Sequence, residues 1–335
     1  MDGYHMRKYS VEQYKEFLDA FTLEPEYKNY RQKIYKQEFW EKDLFLLDAT
    51  ELKYFLVDEV LIRSRSLKYL QDIRHALVKF YQWAEDKGII ATNVWSDEDS
   101  SYEILMEYML SKMDISFFYF DDIKKMEKSI KINESLFKML IRLHYEGIEK
   151  TVDILNIKLC DISVNDKIIK YKNSNIKISE ELVNLIQDYT NCRLFQYYDR
   201  WGNLLERNLY QYEDYLIKSP DRNCDEMSYC QNMKKTITYY FKTISNLCNH
   251  EVKQKDLFAS GFINFVKQKC EEEGKNDLYL VNIFRIYSKV RFQNKITSFA
   301  KEYGMPGNLY SSQLRQKFFP YIVKSKYFEN IIKEY

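Results

Sequence analysis

In SRSLKYLQDIRHALVKFYQWAEDKG, Leu67, Leu70, Ile73, Leu77, Phe80 and Ala84 recur at helical spacing and share one stripe. Gly88 marks where that helix ends. Upstream, Asp48-Ala-Thr-Glu51 has the spacing of a helix N-terminus and leads into LKYFLVDEVL. Ser10-Val-Glu-Gln13 has the same character and opens VEQYKEFLDAF, and a longer helix is expected over residues 27–46. Residues 8–88 therefore predict a compact unit of four helices.

The polar, acidic stretch NVWSDEDSS, residues 93–101, breaks this pattern and is the best linker candidate. A helix at about 101–112 fits either side of it. From residue 116, FFYFDDIKKMEKSI and NESLFKMLIRLHYEG restart the helical period. CDISVNDKIIKYKNSNIKIS reads as a small antiparallel meander, turning at Asn165-Asp166 and at Asn173-Ser174-Asn175, residue types that tolerate left-handed backbone. Past residue 179 the chain is mainly helical, interrupted by an irregular aromatic stretch at 191–215 that looks like a surface insertion. The expected fold class is mainly α, with an all-α N-terminal domain over 1–112, a linker about 93–115, and a helical domain with a small three-stranded sheet over 116–335.

Composition agrees with that outline. Only 8 glycines and 4 prolines suit helices better than a turn-rich sandwich or barrel. A hydrophobic share of 45%, with 16% aromatic, argues against disorder. The 30 tyrosines and 21 phenylalanines accompany many Lys, Asn and Ile, all residues of A/T-rich codons, so an AT-rich genome explains them. The net charge of +1 decides nothing, because DNA binding needs a basic face rather than a basic average. The 6 cysteines form no CxxC pair and the 4 histidines do not cluster near them, so neither a metal site nor a cofactor is expected, and the thiols suit a reducing interior. The N-terminus MDGYHMRKYS lacks an apolar signal region and no apolar run approaches 18 residues, which predicts a soluble cytoplasmic protein with no membrane partner.

The order of segments resembles the tyrosine recombinase (phage integrase) family over most of the chain. DATELKYFLVDEV and SLKYLQDIRHALVKFYQWAEDKGII resemble its core-binding helices; YFDDIKKME and SLFKMLIRLHYEGIEKTVDILNIKLCDI resemble the opening of its catalytic domain. The meander with ISEELVNLIQDY, then YLIKSP, MKKTITYYFKTISNLC and KDLFASGFINFVKQ, follow as its later landmarks do. The resemblance implies two domains that clamp a DNA duplex, the first through core-binding helices.

The functional residues carry over poorly. Where the family places its first arginine, after the loop glycine, this chain has Glu149 and Lys150, with room for a one-residue insertion. Lys172 matches the family's hairpin lysine. At the His-x-x-Arg position the chain reads KDLF, with Lys255 for the histidine and Phe258 for the arginine. The later His/Trp place falls near Arg285 and the nucleophile's place near Asn294, with Tyr287 and Tyr303 out of register. Cleavage by a tyrosine needs a deprotonated phenol, stabilised phosphate oxygens and a protonated leaving group. A guanidinium binds phosphate through two parallel bonds, whereas a lysine offers a point charge and a phenylalanine nothing.

The expectation is a catalytically inactive relative, not an enzyme, that binds specific double-stranded DNA as a transcriptional repressor of a phage or prophage, acting in lysogeny. An active or accessory recombinase or integrase is the alternative. Candidate DNA contacts are Arg63, Arg65, Lys68 and Arg74 in the first domain, then Lys150, Lys172, Lys255, Lys234 and Lys235, and Arg285, Lys289 and Arg291 in the acid-free FRIYSKVRFQNKITSFAK. A merely solvated helix face would look the same in each group. The expected setting is the nucleoid of a bacterial host cell. The tail FFPYIVKSKYFENIIKEY offers Phe318, Phe319, Tyr321, Ile322 and Phe328 for self-association, for a phage protein partner, or for packing on its own domain.

Overall fold

Reciprocal capping opens the helix that begins at Ala49. The Asp48 backbone N–H donates to Glu51 Oε2 at 3.1 Å and the Glu51 N–H donates to Asp48 Oδ1 at 2.8 Å, so two otherwise orphaned donors are satisfied together. The computed structural model describes residues 16–17, 19–20, 44–61, 67–95, 108, 114–171, 174–221, 225–284, 290–305 and 310–327. Backbone contacts divide the chain between Met113 and Asp114 into an N-terminal and a C-terminal unit.

In the N-terminal unit, helix α1 (Ala49–Leu61) buries Leu52 and Leu56, and helix α2 (Leu67–Asp86) buries Ala76, Leu77, Phe80, Tyr81, Trp83 and Ala84. Phe80 packs edge-on to Phe17 at 5.2 Å and lies 5.0 Å from Phe45. Gly88 ends α2 at φ +68°, where Ile89 N–H bonds back to the Ala84 carbonyl at 2.9 Å. Two readings change. Leu44–Leu46, at the end of the helix expected over 27–46, is a 3₁₀ turn, and the rest of that span lies outside the described residues. The expected linker over 93–101 contains a fully buried Trp95, whose backbone N–H donates to Asn93 Oδ1 at 2.8 Å. Residues 96–101 lie outside the described residues, as does the helix expected at 101–112 except Tyr108.

The C-terminal unit is mainly helical with a small antiparallel sheet. Helices α3 (Phe120–Ser129) and α4 (Glu134–Tyr145) lead through a glycine loop to the short α5 (Thr151–Leu155). The meander β1 (Ile162–Ser163), β2 (Ile168–Tyr171) and β3 (Ser174–Lys177) pairs Ile162 with Ile169 and Ile169 with Ile176, which turns Ile169 and Ile176 into the core. Its first turn is where expected, although Lys167, not Asn165 or Asp166, takes the left-handed backbone at φ +53°. In the second, Ser174 and Asn175 are strand residues opposite Tyr171 and Lys170, which corrects the turn expected at 173–175.

Ser179 caps α6 (Glu180–Asn191) by accepting the Leu182 N–H at 3.1 Å. The far end of α6 is capped by buried Lys218, which donates to the Thr190 and Cys192 carbonyls at 2.7 and 2.5 Å. The aromatic stretch at 191–215 is not irregular. It contains a hairpin of β4 (Leu194–Tyr198) and β5 (Leu204–Asn208), turned by Asp199 and by Gly202 at φ +85°. Asn133 holds the hairpin to the start of α4, donating to the Gln196 carbonyl at 2.6 Å and accepting its N–H at 2.8 Å. Phe195 anchors it by stacking on Tyr240 at 4.9 Å.

Among the described residues the remaining helices are α7 (Glu226–Cys248), α8 (Gln254–Glu272), α9 (Asp277–Phe284), α10 (Val290–Glu302) and α11 (Ser311–Lys324). α8 crosses α4 at Gly261, where a Cβ would meet the Tyr145 carbonyl oxygen at 1.8 Å. As far as Tyr327 the tail packs on its own unit: Phe318, Phe319, Tyr321 and Ile322 are buried, Tyr321 donates to Asp256 Oδ1 at 2.8 Å and Tyr327 to Asn264 Oδ1 at 2.8 Å. Phe328 and the residues after it lie outside the described residues.

Candidate active-site frame and nucleic-acid interface

The glycine loop after α4 is fixed from several sides. Gly147 sits at φ +133°, and a Cβ there would lie 2.8 Å from the Tyr303 carbonyl oxygen, so only glycine fits. His144, fully buried, bonds through Nδ1 to the Ile148 carbonyl at 2.7 Å. A carbonyl only accepts, so Nδ1 carries the proton, and Nε2 is left buried with no hydrogen-bond partner. Burial accordingly lowers the imidazole to about 4. At the loop's base Arg142 makes a two-pronged bond to Glu127, at 2.5 and 3.0 Å, and Glu146 accepts from both N–H and Oγ of Ser179 at 2.6 and 2.7 Å.

This loop carries Glu149 and Lys150 to the mouth of a cavity of about 270 Å³ that Asp153, Tyr171, Phe258 and Lys317 also line. Thr151 Oγ1 donates to Gln254 Oε1 at 2.5 Å, tying the loop to the start of α8. The exposed Lys150 and Lys255 flank that bond in sequence. Of the positions singled out by the resemblance, Lys150 and Phe258 line this cavity, whereas Lys255 is exposed at the start of α8 and is not part of its lining. Lys172 lies outside the described residues, but its neighbour Tyr171 reaches the same cavity. Burial and the hydrogen bond to the Asp153 carboxylate push the Tyr171 phenol up.

Among the described residues, the lining of this cavity includes neither an arginine nor a histidine. Phe258 is buried among Tyr303 and Phe318, at 5.8 and 6.2 Å between ring centres, and the Lys317 ammonium lies 5.0 Å from its ring. Lys317 also pairs with Glu149 at 2.6 Å. Lysines at Lys150 and Lys255 are expected to leave a cationic pocket. In the cavity wall Lys150 and Lys317 stand together with the carboxylates of Glu149 and Asp153. Tyr303 is buried and donates its hydroxyl to the Tyr145 carbonyl, and burial holds its phenol well above the ordinary value. Asn294 is exposed on α10; Tyr287 lies outside the described residues.

A second surface has a different character. Between Met227 and His250 the sequence contains no Asp or Glu. α7 buries Tyr229, Met233, Ile237, Tyr240, Phe241 and Ile244, and exposes Lys234, Lys235, Thr238, Tyr239 and Lys242 on its other faces. α7 packs against α5, the helix that Lys150 precedes. Arg207 on β5 is exposed beside it, its guanidinium 5.0 Å from the Phe195 ring. Sequence reasoning missed Lys317, Asp153, Arg207 and Lys242; of these only Lys242 had a visible signal, the acid-free run around it.

The other expected contacts are scattered. Arg63, Arg65, Arg285 and Lys289 lie outside the described residues, and of Lys68 only its place in α2 is described. Arg74 is half-buried on α2. Arg291 is exposed on α10, with its guanidinium 4.8 Å from the Phe292 ring. The neighbouring Lys295 is paired with Glu273, which reduces the basic character expected of that helix.

No protein-family model matches the chain, and no curated protein matches it. Among solved structures it is similar to XerA recombinase, with a TM-score of 0.41, 11% identity and 98% of each chain covered. It is also similar to the Tn1549 transposon integrase in complex with a circular intermediate DNA. In one such complex the TM-score is 0.31 at 10% identity, covering 81% of this chain and 89% of that one; in another it is 0.32 at 10%, covering 90% and 96%.

Proposed function

We propose that this chain binds specific double-stranded DNA and represses transcription for a phage or prophage, on a recombinase-like frame without strand cleavage. The observation that carries the loss of cleavage is Phe258. The side chain standing where the resembled family keeps an arginine is sealed in an aromatic cluster, with a lysine ammonium over its ring. A missing transition-state donor of this kind costs about 10²–10³ in rate, and the buried Tyr303 hydroxyl, engaged with a backbone carbonyl, argues in the same direction.

DNA binding is supported by the acid-free outer face of α7, where Lys234, Lys235 and Lys242 stand among hydroxyls and amides. Lys150 and Lys255 extend it as phosphate contacts, joined by Lys172 of the hairpin and by Arg285, Lys289 and Arg291 near α10. In the N-terminal unit the proposed contacts are Arg63, Arg65, Lys68 and Arg74. The segment order resembles that of the master lysogeny repressor of SPβ-like Bacillus prophages, which is built on the recombinase fold; the same role places this protein on the nucleoid of a bacterial host.

Genome-wide capture of bound fragments tests the role. A shared motif upstream of promoters is the expected result. A single attachment-like locus would instead assign the protein to recombination, as an active or accessory factor.

A further inference from the structure

The inserted hairpin β4–β5 forms a cleft with α7 that the resemblance does not account for. Its volume is about 390 Å³, and it is lined by Phe195, Tyr197, Arg207, Lys235, Thr236 and Tyr239. The strand register explains the lining. Phe195 faces Arg207 and Tyr197 faces Leu205 across the ladder, so these four share the side turned toward α7. Glu206 pairs with Gln196 on the opposite side, where the Gln196 amide donates to its carboxylate at 2.9 Å. The cleft therefore holds a guanidinium, an ammonium and two phenols, and its lining contains no carboxylate. Tyr239 is 54% exposed and Arg207 and Lys235 are exposed, so these groups are open to a ligand.

We infer that this cleft is a clamp for the sugar–phosphate backbone of DNA, with the hairpin holding one strand against α7. The inference rests on the DNA-binding reading above and assigns it a specific phosphate subsite. Two cations with no acid beside them suit a phosphodiester, and the rigid guanidinium fork favours its paired oxygens. The Tyr197 and Tyr239 hydroxyls supply further donors, while their rings give the deoxyribose an apolar surface. Arg207 is held ready, because its guanidinium lies 5.0 and 5.7 Å from the Phe195 and Tyr197 rings. As a contact to the backbone, the clamp should strengthen binding to all sequences alike.

The test measures binding of the full chain to a fluorescein-labelled mixed-sequence duplex across a salt series. Arg207→Gln with Lys235→Gln should weaken binding about tenfold or more and make the slope of log K against log salt shallower by about one. Glu206→Gln, on the opposite hairpin face, should not weaken it. Lys235→Gln alone, on an exposed helix position, keeps the test decisive if loss of Arg207 unfolds the hairpin; it should give a smaller loss of the same kind. If the unmodified protein binds the duplex and the Lys235→Gln and double variants match it in affinity and slope, the clamp is overturned and the DNA-binding reading stands. If the unmodified protein binds no duplex even at low salt, both fall.

Discussion

The cavity behind the glycine loop and the cleft between the hairpin and α7 both contain lysines beside aromatic rings, yet they are opposites in charge balance. In the cavity, Lys317 is bound to Glu149, and Lys150 shares the wall with Asp153. In the cleft, Arg207 and Lys235 face tyrosines and a threonine, with no carboxylate in the lining. A polyanion gains most where cations are not already compensated, because it then displaces only water and counterions. The two linings therefore differ in how much positive charge they leave for a polyanion.

Acid should separate the two regions most sharply. His144 holds the cavity loop through Ile148 and is buried in its neutral form, with its imidazole lowered to about 4. The unfolded chain takes up that proton near the ordinary value of about 6.5, so the unfolded state binds it first. This contribution to stability is full above about 6.5 and is lost as pH falls toward about 4, to a total of about 3 kcal/mol. Urea unfolding across that range should show the loss, and His144→Gln should remove it. Identical pH slopes in the two proteins would mean that the loop is not anchored in this way.

A smaller effect tests the charge balance directly. Lys317→Gln removes the partner of Glu149 at the cavity mouth and leaves the cleft intact. It should change affinity for the mixed-sequence duplex by less than about twofold, as expected of a partly exposed, already compensated cation. A loss comparable to that of the Arg207 and Lys235 pair would erase the distinction between the two surfaces.

Much of this architecture is written locally in the sequence. The Asp48–Glu51 capping box, the α2 stripe ending at Gly88, and the alternation that buries Ile169 and Ile176 all follow from neighbours in the chain. That Lys150 and Phe258 line one cavity has no signal in local spacing, since the two are far apart in the chain. The hairpin was hidden because both of its faces carry apolar residues. Phe195 is buried on one while Leu194, Tyr198 and Leu204 are exposed on the other, so no period of two stands out. Trp95 was masked by the acidic residues that follow it. Lys317 was out of reach, since it meets Glu149 only after α11 has packed on the unit through Phe318 and Tyr321.

The central claim is a frame that grips DNA without cutting it. It is tested most directly by incubating the protein with a duplex nicked beside a candidate cleavage position, taken from a captured genomic fragment, and running it on a denaturing gel. The expected complex is retained under native conditions, weakens steeply as salt is raised, and leaves no covalent adduct after denaturation. A protein–DNA adduct that survives denaturation and disappears in Tyr287→Phe or Tyr303→Phe would contradict it.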